Sequence, residues 1–193
     1  MAPKTKITKD GILQAAMNLL RESGEGAVNA RNIASVLNCS TQPLFSNFST
    51  MEELHLALKA AAYDIYLGYL KREAESGEYP EYKSSGMAYI KFAKEEKELF
   101  KYIFMCERDD DSQAAGASDF DVSVEKVMRL NGVSRETAGL IHLEMWSAVH
   151  GIATMHATSF LALDWQLIST MLSDIYLGVK ARHACNTENT GEK

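Results

Sequence analysis

Residues 33–54, IASVLNCSTQPLFSNFSTMEEL, decide the fold of this chain. The stretch contains two short amphipathic helices on either side of a tight turn. Asn38 can adopt the left-handed backbone conformation that such a turn requires, and Pro43 falls in the first turn of the second helix, where its missing N–H costs nothing. Leu44 and Phe48 are four residues apart and share the face that turns toward a core. The pattern predicts a helix-turn-helix.

Polar residues that cap helix N-termini mark the helices around this stretch. A first helix is expected to stop at Gly24, and a long fourth helix is expected to end near Gly77, because glycine readily follows the last helical turn. Thr50 and Glu53 have the spacing of a capping box for the fourth helix. The expected caps of the first four helices are Thr8, Asn29, Ser40 and Thr50.

The exposed face of the third helix carries hydrogen-bonding side chains. Such a helix fits the major groove of DNA while its partner braces it across the backbone. Gln42 suits an adenine edge, hydroxyl groups reach phosphates, and Arg31 supplies charge at the start of the second helix. For Thr41 and Gln42 the alternative is a solvated polar face. The predicted DNA-binding residues are Arg31, Ser40, Thr41, Gln42, Pro43, Phe45, Ser46 and Asn47.

These features together resemble the DNA-binding head of the TetR family of transcriptional regulators. The resemblance covers residues 8 to about 60 and lies in Ile33-Ala34, Asn38-Cys39-Ser40, Leu44-Phe45-Ser46-Asn47-Phe48 and Met51-Glu52-Glu53-Leu54. It implies an all-α dimer in which residues 40–48 form the recognition helix. The sequence departs from the family pattern at Phe45, where a tyrosine usually touches phosphate, at Asn47, and at Met51, where lysine is usual. Each departure can remove one phosphate contact.

The rest of the chain is predicted to form further helices. The stretch 107–116 is acidic, small and unperiodic, so we expect a mobile loop there. Ser134 and Asp164 are expected to cap the last two helices, which are unusually rich in apolar residues. The predicted helices cover roughly 82–94, 96–106, 120–131, 134–157 and 164–182.

The C-terminal half more loosely resembles the branch of the family with a Trp-His-Gly motif, through Trp146, His150 and Gly151. Trp146 and His150 share one helical face. The resemblance implies a contribution to the ligand cavity and the dimer interface, and the alternative is core packing with a hydrogen-bonded histidine. We expect a small apolar or aromatic effector, bound by Tyr89, Phe92, Tyr102, Trp146 and His150.

The apolar excess of the last two helices predicts a homodimer. Paired with their copies, these helices would form a four-helix interface. A two-fold dimer presents two recognition helices, so the operator is expected to be a near-palindrome. The predicted interface residues are Ile168, Met171, Leu172 and Ile175.

These predictions define an all-α chain with an N-terminal three-helix head joined by a long helix to a helical body. The predicted boundaries are 1–50 for the DNA-binding head, 51–77 for the linking helix, 78–185 for the ligand-binding and dimerisation domain, and 186–193 for a disordered tail.

Charge and composition narrow the class of function. The net charge is −6, yet residues 1–50 carry +2, so a mildly basic head precedes an acidic body, which permits DNA binding. No run of about 18 uncharged apolar residues occurs, so we expect a soluble, cytoplasmic protein with no membrane association. The sequence has no phosphate loop and no nucleophile elbow, which argues against an enzyme. Cys39, Cys106 and Cys185 lack paired spacing, so neither a metal nor a cofactor is expected.

The predicted function is that of a ligand-responsive DNA-binding transcriptional regulator, a repressor that binds a palindromic operator as a homodimer. The alternative is a helical small-molecule-binding or scaffold protein of the same fold whose DNA binding has weakened. Phe45, Asn47 and Met51 keep this alternative open.

Overall fold

The computed structural model describes residues 7–106 and 110–188, and over these residues it consists of α-helices, a short 3₁₀ turn (Glu25–Ala27) and no strand. This confirms the predicted all-α class. The helices are α1 (Lys9–Ser23), α2 (Ala30–Val36), α3 (Gln42–Asn47), α4 (Met51–Ser76), α5 (Glu81–Glu95), α6 (Lys97–Phe104), α7 (Asp110–Asn131), α8 (Arg135–Ala157) and α9 (Trp165–Glu188).

Most of the predicted caps are confirmed. Each of these side chains accepts a hydrogen bond from an N–H group two or three residues further along: Thr8 from Gly11 (3.1 Å), Asn29 from Asn32 (3.0 Å), Thr50 from Glu53 (3.1 Å), Ser134 from Thr137 (3.2 Å) and Asp164 from Gln166 (2.9 Å). The prediction for Ser40 is wrong, because α3 begins after Thr41, which makes no side-chain capping bond. Pro43 lies in the first turn and has no N–H for such a cap to bind.

The start of α7 corrects the prediction of a loop over 107–116. α7 begins at Asp110 and runs to Asn131, so residues 110–116 are helical, while 107–109 lie outside the described residues. Two alanines in this stretch, Ala114 and Ala115, are the strongest helix formers among the amino acids, which offsets its lack of apolar periodicity. At the other end, α9 continues through 186–188, which were assigned to the disordered tail, and 189–193 lie outside the described residues.

The chain divides into two compact units. The N-terminal unit comprises Met1–Gly68 and Glu95–Cys106, and the C-terminal unit comprises Tyr69–Lys94 and Glu107–Lys193. α4 belongs to the N-terminal unit as far as Gly68 and to the C-terminal unit beyond it. The predicted boundaries place α6 in the body, whereas this division groups α6 with the head.

The core of the N-terminal unit is built from the apolar faces of α1 to α4 and α6. Arg21 of α1 donates two hydrogen bonds to the Glu96 carboxylate, of 2.9 and 2.8 Å, and so fixes α1 to the start of α6. Gly24 ends α1 with φ of 76°, and a Cβ there would lie 3.0 Å from Oε2 of Glu98. The fully buried side chains include Ile12, Leu20, Ile33, Leu44, Phe48, Leu54, Leu58, Leu99 and Phe100.

The C-terminal unit is a helical bundle in which α8 packs against both α7 and α9. Gly86 allows α5 to pack closely against α8 and α9, since a Cβ at this position would lie 3.2 Å from Val149 of α8 and 3.6 Å from Leu172 of α9. The buried apolar side chains of this unit include Met87, Ile90, Phe92, Val124, Val127, Ala138, Ile141, Ile152, Ala153, Ile168 and Leu172.

Candidate functional site

The turn between α2 and α3 has the geometry that the sequence predicted. Asn38 has φ of 49°, in the left-handed region, and its N–H donates to the carbonyl of Ser35 at 3.1 Å. The N–H of Cys39 donates to the carbonyl of Ala34 at 3.0 Å. These bonds close the turn, and Leu44, 1% exposed, anchors α3 on the core.

The outward face of α3 carries the predicted DNA-binding side chains. Gln42, Phe45 and Ser46 are exposed, and Phe45 is 47% exposed although it is a large apolar residue. Of the other predicted residues, Arg31 and Ser40 are exposed, while Thr41, Pro43 and Asn47 are half-buried.

The polar groups on this face differ in how much of their hydrogen-bonding capacity is free. Ser46 donates its hydroxyl to the carbonyl of Gln42 at 3.0 Å, and Asn47 donates its amide to the carbonyl of Pro43 at 2.8 Å. The side chain of Gln42 forms no hydrogen bond with any described residue. An unengaged amide with two donors and an acceptor is the group on α3 best able to read a base edge.

The positive charge of the described part of the head is partly neutralised by ion pairs. Lys9 lies 3.1 Å from Glu53, and Arg21 lies 2.8 Å from Glu96. Arg31 is exposed and takes part in none of the ion pairs among the described residues. Its guanidinium is therefore available to an external phosphate.

In the C-terminal unit, Tyr89, Trp146 and His150 form a cluster between α5 and α8. The Tyr89 hydroxyl lies 2.9 Å from Nδ1 of His150, and the Trp146 indole stacks on the imidazole with ring centroids 5.1 Å apart. Tyr89 is buried, whereas Trp146 is 42% exposed. The sequence predicted that Trp146 and His150 share one helical face, and their spacing of four residues lets the two rings stack.

The other two predicted effector residues lie elsewhere. Phe92 is fully buried and packs edge-on against Tyr69, with ring centroids 5.4 Å apart. Tyr102 belongs to the N-terminal unit, where its hydroxyl lies 2.9 Å from Nδ1 of His55. Long-range pairing of this kind has no local sequence signal, which is why the prediction grouped Tyr102 with the others.

A second tyrosine–histidine pair between α5 and α8 was missed from the sequence. The Tyr82 hydroxyl lies 2.8 Å from Nδ1 of His142. Burial raises the pKa of the Tyr82 hydroxyl and lowers the pKa of the His142 imidazole, so the neutral form of both groups is favoured where they meet. The spacing signal was present, because Tyr82 and Tyr89 are seven residues apart on α5 and the two histidines are eight apart on α8. Both pairs fasten α5 to α8.

The predicted interface residues divide into two kinds. Ile168 and Leu172 are 0% and 2% exposed within a single chain, so they pack the core of the C-terminal unit and cannot line an open interface. Met171 and Ile175 are half-buried. The side chains that α8 and α9 turn outward are instead Leu140, Leu143, Trp146, Leu167 and Leu177.

Two further findings concern other classes of site. Over the described part of the chain, no group of three or more His, Cys, Asp or Glu residues is arranged to hold a metal ion. No described helix combines the length and the apolar character needed to cross a membrane.

Comparison with known proteins shows what this chain is similar to. Residues 83–171 match the model of the Tetracyclin repressor-like, C-terminal domain. A TetR-like transcriptional regulator from Rhodococcus sp. RHA1 has a similar structure, with a TM-score of 0.68, 14% sequence identity, and coverage of 92% of this chain and 97% of that chain. A TetR family protein from Vibrio parahaemolyticus gives a TM-score of 0.62 and 15% identity over 87% of this chain and 96% of that chain. No curated protein matches the sequence significantly.

The class that the structure and these comparisons define is an all-helical fold with an N-terminal helix-turn-helix, shared with solved TetR-like proteins. The fold of the chain is similar to that of these two proteins, and residues 83–171 are similar to the Tetracyclin repressor-like, C-terminal domain. The all-helical fold that the resemblance over residues 8 to about 60 implied is therefore confirmed, while the Trp-His-Gly branch stays a prediction.

Proposed function

We propose that this protein is a ligand-responsive transcriptional repressor that binds a palindromic operator as a homodimer. The observation that carries the proposal is the outward face of α3, where Gln42, Phe45 and Ser46 are exposed while Leu44 is buried. A helix held by its apolar side with polar groups facing out suits insertion into the major groove. Arg31, exposed on α2, supplies a phosphate contact.

The effector is proposed to bind in the C-terminal unit, at the cluster of Tyr89, Trp146 and His150. Stacked aromatic rings favour an apolar or aromatic ligand, and the polar groups of the cluster supply one or two anchors. α4 runs from the head into the C-terminal unit, and α5 leads directly into α6 of the head. A ligand that favours one arrangement of these connections changes the spacing of the two heads and therefore the affinity for DNA.

The proposal also implies where the protein acts and that it needs no catalytic activity. A repressor of this kind acts on DNA in the cytoplasm. It needs no catalytic chemistry, because its output is a change in occupancy of the operator, so we propose that the protein is not an enzyme.

A second candidate is a ligand-binding or scaffold protein of the same fold whose DNA binding has weakened. Two observations favour it: the side chains of Ser46 and Asn47 bond to the backbone of α3, and Lys9 and Arg21 are paired with glutamates. Both reduce the number of groups that are free to contact DNA.

Selection of random duplex DNA by the purified protein at low salt distinguishes the two candidates. The repressor is expected to enrich a near-palindrome with half-sites about one helical turn apart, and its affinity is expected to fall steeply as salt rises. Failure to enrich any sequence, from protein that remains folded and dimeric, would support the scaffold candidate instead.

Substitution of Gln42 is expected to change which DNA is bound, whereas substitution of Arg31 changes how tightly any DNA is bound. Gln42→Ala removes a base contact, so discrimination at one base pair of each half-site is expected to fall by about 1–3 kcal/mol. Arg31→Ala removes a phosphate contact, so affinity drops on all sequences alike and the salt slope flattens by about one per protomer. Fluorescence anisotropy with the selected site and its single-base variants measures both, and equal behaviour of the two variants would contradict the assignment.

A further inference from the structure

One lysine of the C-terminal unit is held without a counter-ion. Nζ of Lys83, on α5, donates hydrogen bonds to Oγ of Ser169 at 2.7 Å and to Oγ of Ser173 at 2.8 Å, both on α9. Lys83 takes part in none of the ion pairs among the described residues. By contrast Lys91, two turns further along α5, pairs with the buried Glu73 at 3.6 Å.

The ammonium group of Lys83 is partly shielded from water. Lys83 is half-buried, Ser169 is 8% exposed, and the ring of Tyr79 lies 5.2 Å from Nζ. Hydroxyl oxygens and an aromatic face solvate the group, but neither carries a full negative charge. A charge that has lost part of its water and forms no ion pair is unfavourable, and an incoming anion relieves this cost.

The hydrogen-bond directions leave two donors free at the same place. An ammonium has three N–H groups, and two of those of Lys83 are used by the serines. Ser173 donates its own hydroxyl to the carbonyl of Ser169 at 3.1 Å, whereas the hydroxyl hydrogen of Ser169 has no acceptor among the described residues. The third N–H of Lys83 and the O–H of Ser169 belong to atoms that are 2.7 Å apart, and two such neighbouring donors suit the two oxygens of one carboxylate.

We propose that Lys83 and Ser169, supported by Ser173, form the site that binds the carboxylate of an organic acid with an apolar body. This inference rests on the proposed function and assigns a chemical class to its effector. Lys83 lies on α5, the helix that also carries Tyr89, and the apolar ring of Tyr79 borders the ammonium. An apolar body next to the carboxylate can therefore rest on an aromatic face.

The test measures thermal stability of the full chain with benzoate, phenylacetate and decanoate, each compared with its neutral amide at matched ionic strength. At a concentration about one hundred times its Kd, a bound carboxylate is expected to raise Tm by about 5 °C or more, and its amide by much less. Lys83→Met and Ser169→Ala are expected to abolish the difference between acid and amide. Lys180→Met, which removes an exposed charge from α9, keeps it.

Several results would overturn the inference. These are equal shifts for acids and amides, no shift with any acid, a full shift retained by Lys83→Met, or inorganic phosphate stabilising the protein more than the organic acids do. A structural role for the lysine alone predicts that Lys83→Met lowers Tm without acids and that acids have no effect on the wild type. If the unliganded protein selects a palindrome but no acid stabilises it more than the amide does, this inference alone is refuted. If acids stabilise the protein specifically but no DNA sequence is enriched, the repressor proposal alone is refuted.

Discussion

A variant carrying Leu143→Glu and Leu177→Glu is expected to be a monomer at micromolar concentration, whereas the wild type is expected to be a dimer. Leu143 of α8 and Leu177 of α9 are 49% and 61% exposed in a single chain. Nε2 of His183 lies 3.4 Å from Oε1 of Glu144, so this part of α9 runs beside the same stretch of α8 that carries Leu143. Exposed leucines on two adjacent helices are typical of a surface covered by a partner.

The effect on association is expected to be large because each dimer would bury four glutamates without partners. Several kcal/mol are lost for each buried, unpaired charge, which weakens association by at least about a thousandfold. Analytical ultracentrifugation distinguishes a species of 21.4 kDa from one of twice that mass. Leu56→Glu is the matched control, since Leu56 is 62% exposed on α4 and lies in the other unit. A wild type that sediments as a monomer, or a double variant that remains a dimer, would rule out this interface.

Local features of the fold could be predicted from the sequence because they depend on residues close together in the chain. A capping side chain binds an N–H group two or three residues away, so Thr8, Asn29 and Ser134 were identified correctly. The turn at Asn38 is local in the same sense, since it needs one residue that tolerates positive φ.

Features that depend on which helix packs against which could not be predicted in the same way. Periodicity indicated that Ile168 and Leu172 share a face of α9, and this is correct, but it could not say whether that face meets the core of the same chain or a second copy. The same limit applies to Tyr102, whose aromatic character indicated packing while its partner, His55, lies 47 residues away. Spacing along one helix therefore grouped Trp146 with His150, whereas the contact between His150 and Tyr89 required the tertiary structure.

Substitution by alanine is expected to lower the stability of the N-terminal unit at Phe48, but mainly the affinity for DNA at Phe45. Phe48 is fully buried in the N-terminal unit and follows the last residue of α3, and Nζ of Lys9 lies 4.6 Å from the centroid of its ring. Phe48→Ala is expected to destabilise this unit by about 3–5 kcal/mol, because it loses buried apolar surface and leaves a cavity. Urea denaturation should show an early transition for the N-terminal unit, with DNA binding lost at concentrations where the C-terminal unit is still folded.

Phe45→Ala is the matched control, because the same side chain is removed from a position that is 47% exposed. Its stability is expected to stay within about 0.5–1 kcal/mol of the wild type. Its affinity for the selected operator is nevertheless expected to fall, because an exposed aromatic ring on the outward face of α3 can contact a thymine methyl group in the major groove. If Phe45→Ala were as unstable as Phe48→Ala, Phe45 would belong to the core. If Phe45→Ala bound the operator as tightly as the wild type, the DNA contact would have to come from the polar residues of α3 alone.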